Sequence, residues 1–576
     1  TAVYGVRGAN GVVIVKTKPG KVGKPQFSVD YYESFTRLTK KVDMADAYIY
    51  MDARNEAQMN TSGTLKYSAA YIEATKKANG LLPNDNPRLY NPYLYPAIDW
   101  ADNLFNDWGH NRRGNINIRG GVPNANYYAS LSYYGETGMT RNFKLENYNT
   151  QMKYDRYNFT SNLNLKPTSK TTVDLGFSGY LGQGHYPQSS TSSLYAACMD
   201  VNPVIYPLLL PNGTVSGINS QQKFNPYGLL ARGGYYDEFS SQLNSNIRVK
   251  QDLDFWKWSK GLSASAMVAF DTYNSRKRKY NRNEPMYTFA GKTDENGNIK
   301  QVLDAHKVGD KYIATYDTPT LNPLWNAQFD SKNDSRNFEL REALKVEYLP
   351  VDNLRLSLDF TLSRGDGTVE TFKSAQHNDF YSVTDPAEKG SYYWSKSESS
   401  SYRLSLSGAY NKSFGSDHLV SAFARYSINE NTSKLTSISM KGFPNDKLSE
   451  VYMGTEYQTT GGSESVARAL AFMMTLNYSY KQRYALDYSM SINASSEFGK
   501  NNRYAPFWSV GLRWNADRET FIKNLGIFEE LILRGTYGIT GSQGFTPYQS
   551  LQMYTYKNLM KTYKSSDVVG TEIYGL

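Results

Sequence analysis

Apolar and polar residues alternate one by one through most of this chain, and that period of two limits its fold more than any motif does. Clear stretches are Phe27/Val29/Tyr31, Tyr157/Phe159/Leu163/Leu165 and Val173/Leu175/Phe177. The pattern returns in Leu354/Leu356/Leu358/Phe360, Leu470/Phe472/Met474/Leu476/Tyr478 and Tyr484/Leu486/Tyr488/Met490/Ile492. There are about fifteen such segments of roughly ten residues, the length a tilted strand needs to cross a bilayer. Their connections alternate in length. Short ones are Lys166–Ser169, Lys257–Gly261, Pro350–Asn353, Phe414–Asp417 and Lys481–Arg483, and between them lie long segments near 182–240, 277–335, 367–399 and 429–463. A soluble sandwich has no reason to put its long loops at one end, whereas a membrane barrel has short turns on one side and long loops on the other. The expected class is therefore all-β: a transmembrane antiparallel barrel.

Composition removes the alternatives. Of the 576 residues 40% are hydrophobic, and the longest apolar runs, Val204–Leu210 and Ala469–Met474, fall well short of a spanning helix. Aromatics reach 14%, and the 49 tyrosines outnumber the 44 glycines, which excludes a disordered chain. Pairs such as Tyr127/Tyr128, Tyr133/Tyr134, Trp256/Trp258 and Trp508/Trp514 recur near strand ends, where interfacial girdles sit. The single cysteine, Cys198, forbids an intrachain disulfide. A net charge of +10 is mild for this length and spread out, so no nucleic-acid partner is expected. The run Arg276-Lys277-Arg278-Lys279 fits a solvated loop or a contact with acidic lipid headgroups. The best helical segment is Asp43–Gln58, with Asp43 as its expected N-cap.

Nothing in the sequence asks for catalysis. The five histidines lack metal-ligand spacing, and no nucleophile elbow, phosphate loop or zinc-protease motif is present. Asp294-Glu295-Asn296-Gly297-Asn298 reads as a turn, because Asn-Gly is a strong hairpin signal and the downstream calcium-loop glutamate is missing. No cofactor, metal or catalytic residue is expected. Aromatic loop segments are the candidates for substrate or partner contact: Tyr235-Tyr236, Trp325 and Tyr392-Tyr393-Trp394.

The stretch Tyr4-Gly5-Val6-Arg7-Gly8-Ala9-Asn10-Gly11-Val12-Val13-Ile14-Val15 departs from the alternation. Gly8, Asn10 and Gly11 permit a tight turn, and Val12–Val15 is apolar on both faces, so it must be enclosed. This segment resembles the end of the plug domain in the SusC-like (SusC/RagA) family of TonB-dependent outer-membrane transporters. Ala97-Ile98-Asp99-Trp100-Ala101-Asp102, Gly120-Gly121 followed by Tyr127–Tyr133, Asn501–Trp514 and Arg534–Gln543 resemble further signatures of that family, in order along nearly the whole chain.

The resemblance implies a fragment: residues 1–22 as the C-terminal end of the plug, and 23–576 as a barrel incomplete at its C-terminus. Large transporter barrels of this kind have about 22 strands. Tyr4, Gly5, Arg7, Gly8, Asn10 and Gly11 would be structural plug residues. It further implies TonB-dependent import of oligomeric nutrients across the outer membrane of a Gram-negative bacterium. A SusD-like surface lipoprotein would act as lid, TonB would engage a segment outside this chain, and transporter–lipoprotein pairs would form a dimer. Oligosaccharides are the first expectation for substrate. The alternatives are oligopeptides, a lid-free siderophore or cobalamin receptor, or a non-transporting surface binding protein.

Overall fold

The computed structural model describes residues 20–539 except 40–43, 88, 144–148, 211–212, 214, 218–224, 282–286, 289–306, 309–310, 313–314, 317–330, 376, 381–382, 444–448 and 500–502; it also describes Gly541 and the strands 554–563 and 566–575. One antiparallel sheet of fifteen strands, each paired to its neighbour in sequence order, makes up the wall. The strands are β1 (Gly23–Thr36), β2 (Gly109–Val122), β3 (Ala125–Thr137), β4 (Lys153–Thr168) and β5 (Thr171–Pro187). Then come β6 (Gly234–Asp252), β7 (Leu262–Asn281), β8 (Ser331–Val351), β9 (Leu354–Lys373) and β10 (Ser391–Phe414). The last are β11 (His418–Lys441), β12 (Glu456–Tyr480), β13 (Tyr484–Ser495), β14 (Tyr504–Asn515) and β15 (Ile532–Ile539). No described helix is long and apolar enough to cross a membrane. The strand count and the all-β class agree with the alternation in the sequence.

Register turns that alternation into two chemically distinct faces. Directly paired residues on neighbouring strands share a face. Leu470 pairs with Ile428, which pairs with Leu404, then Phe360, Leu344, Ala266, Val249, Val173, Leu165 and Ala125. One apolar row thus runs from β12 back to β3, and the rows beside it carry Phe472, Met474 and Leu476 with their partners Tyr426, Ala424 and Ala422. The side chains of this face are half-exposed or exposed although apolar, Leu406 to 58% and Leu512 to 63%. Hydrocarbon is the solvent that suits such a band.

The long segments are shorter than the sequence implies, because the strands continue into them. β5 runs to Pro187 and β6 starts at Gly234; β10, β11 and β12 are 24, 24 and 25 residues long. The reason is legible in Ser395-Lys396-Ser397-Glu398-Ser399-Ser400-Ser401: above the lipid both faces are wet, so a strand there shows no apolar alternation. The helical segment also shifts. Helix α1 spans Ala47–Ser62 and its N-cap is Asp46, not Asp43, since Asp46 Oδ1 accepts from the Tyr48 and Ile49 amides at 2.9 and 2.8 Å. Asp43 itself lies outside the described residues.

A second body of structure covers the long-loop end. The β1–β2 connection carries α1, α2 (Ala69–Ala78) and α3 (Trp100–Leu104), and the β5–β6 connection carries α4 (Thr191–Asp200) and α5 (Pro226–Ala231). The two insertions close on a common core of Trp100, Leu104, Leu194, Cys198, Tyr206, Tyr227 and Leu230. Trp100 and Tyr206 meet edge to face at 5.5 Å, and Trp100 Nε1 donates to the Asn202 carbonyl at 3.2 Å. Burial pushes the Cys198 thiol up to about 12, with the nearby Asp99 carboxylate adding to it.

Candidate functional site

The face opposite the apolar rows is the luminal one, and its chemistry is read by the same register. Asn115, Ser132, Asn158, Tyr180, Gln242, Tyr273, Asn337, Gly367 and Ser397 form one row from β2 to β10. Two rows further toward the long loops, Glu136, Tyr154, Gly184, Glu238, Lys277, Asn333, Thr371 and Tyr393 form another. Amides, hydroxyls and tyrosine rings dominate this surface.

Two glycines on β5 let the rings lie against the wall. A β-carbon at Gly182 would sit 2.8 Å from Tyr154 Oη, and one at Gly184 would overlap the ring of Tyr186. Tyr186 stacks on Tyr236 at 4.9 Å with 21° between planes, and Tyr134 leans toward Tyr154 at 6.4 Å. Cations complete the stacks: Lys277 Nζ lies 4.2 Å over Tyr236 and pairs with Glu238 at 3.4 Å, and the Arg156 guanidinium lies 3.8 Å over Tyr180.

Beside this shelf lies a hollow of about 260 Å³ floored by Gly365 and Gly367 and walled by Gln242, Tyr273, Asn337, Glu339 and Ser399. The two glycines of β9 leave room for it. Among the described residues no group of three or more metal-ligating side chains occurs. Half-exposed rings beside amides and carboxylates are the chemistry of holding a polar ligand.

The aromatic candidates separate on this surface. Tyr236 faces the lumen, whereas Tyr235 faces the other way, between His185 at 5.0 Å and Tyr280 at 4.6 Å. Tyr393 is half-exposed in the luminal row, while Tyr392 is buried with Phe372 and Phe443, and Trp394 packs against that cluster. Trp325, the turn at 294–298 and the residues Tyr4, Gly5, Arg7, Gly8, Asn10 and Gly11 lie outside the described residues. Tyr154, Tyr180, Tyr186, Tyr273 and Arg156 were not candidates from sequence. Their signal was present, since each occupies the parity opposite the apolar residues of its strand.

No protein-family model matches the chain. Among curated proteins, it is 23% identical over 556 residues to TonB-dependent receptor P39 of Formosa agariphila, covering 96% of this chain and 40% of that protein. It is 24% identical over 601 residues to TonB-dependent receptor SusC of Bacteroides thetaiotaomicron, covering 98% of this chain and 44% of that one. The chain thus spans about two fifths of the length of these relatives. Among solved structures, the RagAB peptide importer in its open-open state superposes over 100% of the chain with a TM-score of 0.56 at 17% identity, covering 52% of that chain. That likeness fixes the fold, and the curated relatives match from one end of the chain to the other: the chain is similar along its whole length to SusC-like TonB-dependent receptors.

Proposed function

We propose that this chain is the wall of an outer-membrane importer that takes up oligomeric nutrients with energy delivered by TonB, oligosaccharides ahead of oligopeptides. The observation that carries the reading is the two-faced register: one face suits hydrocarbon, and the other, among the described residues, presents tyrosine rings and amides. A wide barrel must be sealed by a plug, and at a membrane without ATP the energy to move the plug comes from elsewhere. A SusD-like lipoprotein closes the long-loop end as a lid, and two such pairs form the assembly. Neutral amides and stacked rings favour a glycan, because ring faces stack on sugar faces and amides pair with hydroxyls. The solved relative described as a peptide importer keeps oligopeptides as the second substrate class.

The test is twofold. The full-length protein is purified from membranes and should bring a surface lipoprotein with it. A strain lacking the gene is then grown on single glycans and on peptide mixtures, with and without TonB. Loss of growth on one glycan, matched by loss of TonB, supports the reading. Loss on peptides alone moves the substrate to the second class. Normal growth on every oligomer with failed uptake of a siderophore or cobalamin places the protein among lid-free receptors.

A further inference from the structure

Most turns at the short-loop end are tight; the β6–β7 link runs over 253–261, and the link after β14 is longer still. β12 and β13 are joined through Lys481 and Gln482, and β10 and β11 through Gly415–Asp417, but β14 and β15 are joined by the strap 516–531. Its ends are tied together, because the Ala516 amide donates to the Leu531 carbonyl at 2.8 Å. Between them a single helical turn, α6 (Thr520–Lys523), ends at Asn524, and the chain then turns at Gly526, whose φ of +64° suits glycine.

One carboxylate fastens the strap, and it does so on the apolar side of the wall. Glu519 accepts from Tyr484 Oη at 2.7 Å, from Trp514 Nε1 at 3.3 Å and from Arg483 Nη1 at 3.1 Å. Tyr484 and Trp514 pair directly and share the parity of Leu486, Leu512 and Leu533, so they belong to the lipid-facing rows. Their donated bonds, that of Tyr484 foremost, hold the Glu519 carboxyl below the usual carboxylate range. The strap therefore lies outside the barrel, level with the lower edge of the apolar band. There it turns Phe521, Leu525, Ile527 and Phe528 to the surroundings, Ile527 to 72% exposure. Four large apolar side chains exposed on one short loop call for a covering.

We propose that this strap is a membrane foot, lying in the inner-leaflet interface with Phe521, Leu525, Ile527 and Phe528 set into the boundary between phospholipid headgroups and acyl chains. The argument for lipid as the occupant is continuity. The foot is tied through Glu519 to Tyr484 and Trp514, which stand in the same rows as Leu512 and Leu533, and this anchor is an aromatic pair with polar tips, the type of side chain that settles at a membrane interface. The inference rests on the membrane-wall reading above.

The test uses the full-length protein, carrying no other reactive cysteine, in nanodiscs of phosphatidylethanolamine and phosphatidylglycerol. Ile527→Cys and Leu525→Cys probe the foot, Leu476→Cys probes the middle of the band, and Thr459→Cys probes the wet part of β12. A foot in the interface predicts that Ile527→Cys reacts with a water-soluble maleimide several-fold more slowly than Thr459→Cys. It also predicts that a fluorophore there is quenched more by a shallow spin-labelled lipid than by a deep one, with the order reversed at Leu476→Cys. Labelling as fast as Thr459→Cys overturns the proposal, and so does protection without quenching at either depth, which would mean a protein covering. If Leu476→Cys is unquenched, it is the membrane wall that fails rather than the foot. Leu525→Cys repeats the measurement should Ile527→Cys disturb the loop.

Discussion

The apolar band of the wall and the core of the loop layer use the same side chains and arrange them in opposite ways. In the loop layer Leu104, Leu194 and Leu230 are fully buried, as in any water-soluble domain. In the wall Phe27 is 73% exposed, and leucines of β9 to β14 stand open in rows. The layer must enclose its own apolar surface because water surrounds it. The wall leaves its apolar surface open to lipid and satisfies its backbone through an unbroken ladder of strand pairs. Hydrophobic residues are therefore no guide to the inside of this protein until the local solvent is known.

The largest effect that would sharpen this contrast is in the layer. Leu194→Ala or Leu230→Ala should cost about 2–5 kcal/mol of local stability, because each vacates a filled core position. Hydrogen exchange should then rise across both insertions, 44–108 and 188–233, while the wall stays protected. Exchange confined to one insertion would show that the two do not share a core.

Next comes the wall. Met474→Arg should cost about 2–4 kcal/mol of folding free energy in bilayers, while Thr475→Arg, its neighbour on the luminal face, should cost far less. Equal costs, read by denaturant titration in vesicles, would break the assignment of faces.

Smaller again is the luminal shelf. Tyr154→Ala and Tyr186→Ala should each weaken ligand capture by about 1 kcal/mol, roughly fivefold, with little change in stability. Calorimetry with an oligomer identified by the growth test would measure this, and unchanged affinity in the double variant would remove the shelf from the proposed substrate path.

The smallest effect concerns pH. Glu519 is held below its ordinary value in the folded protein, so its contribution is complete above about pH 4.3 and fades as pH falls through the lowered value. Trp514 fluorescence should follow that loss, and Glu519→Gln should abolish the transition.

Much of the wall was legible in advance. Strand number and order followed from alternation and from five short turns, all of which join neighbouring strands. The upper strands were hidden because their sequences, such as Ser395–Ser401, meet water on both faces and carry no apolar beat. The cap of α1 was misplaced because Asp43 and Asp46 suit the role equally by type, and only backbone geometry at Asp46 brings its carboxylate to two free amides. The candidate site was half visible. Tyr235-Tyr236 stood out as a pair, yet adjacent strand residues point to opposite faces, so only one could reach the lumen. Tyr154 and Tyr180 passed as ordinary aromatics until pairing aligned them with Glu238, Lys277 and Gln242 across three more strands.

Because β8 to β12 continue as paired strands of 20 to 25 residues, this part of the wall is a printed grid. Side chains on one face repeat about every 6.7 Å along a strand and about every 4.8 Å across strands. Under the proposed importer function, a polymer sliding over this surface meets contacts at a pitch set by its heading. Substitutions can rewrite what each grid point offers without moving the points, so a change of cargo requires new side chains but no new backbone.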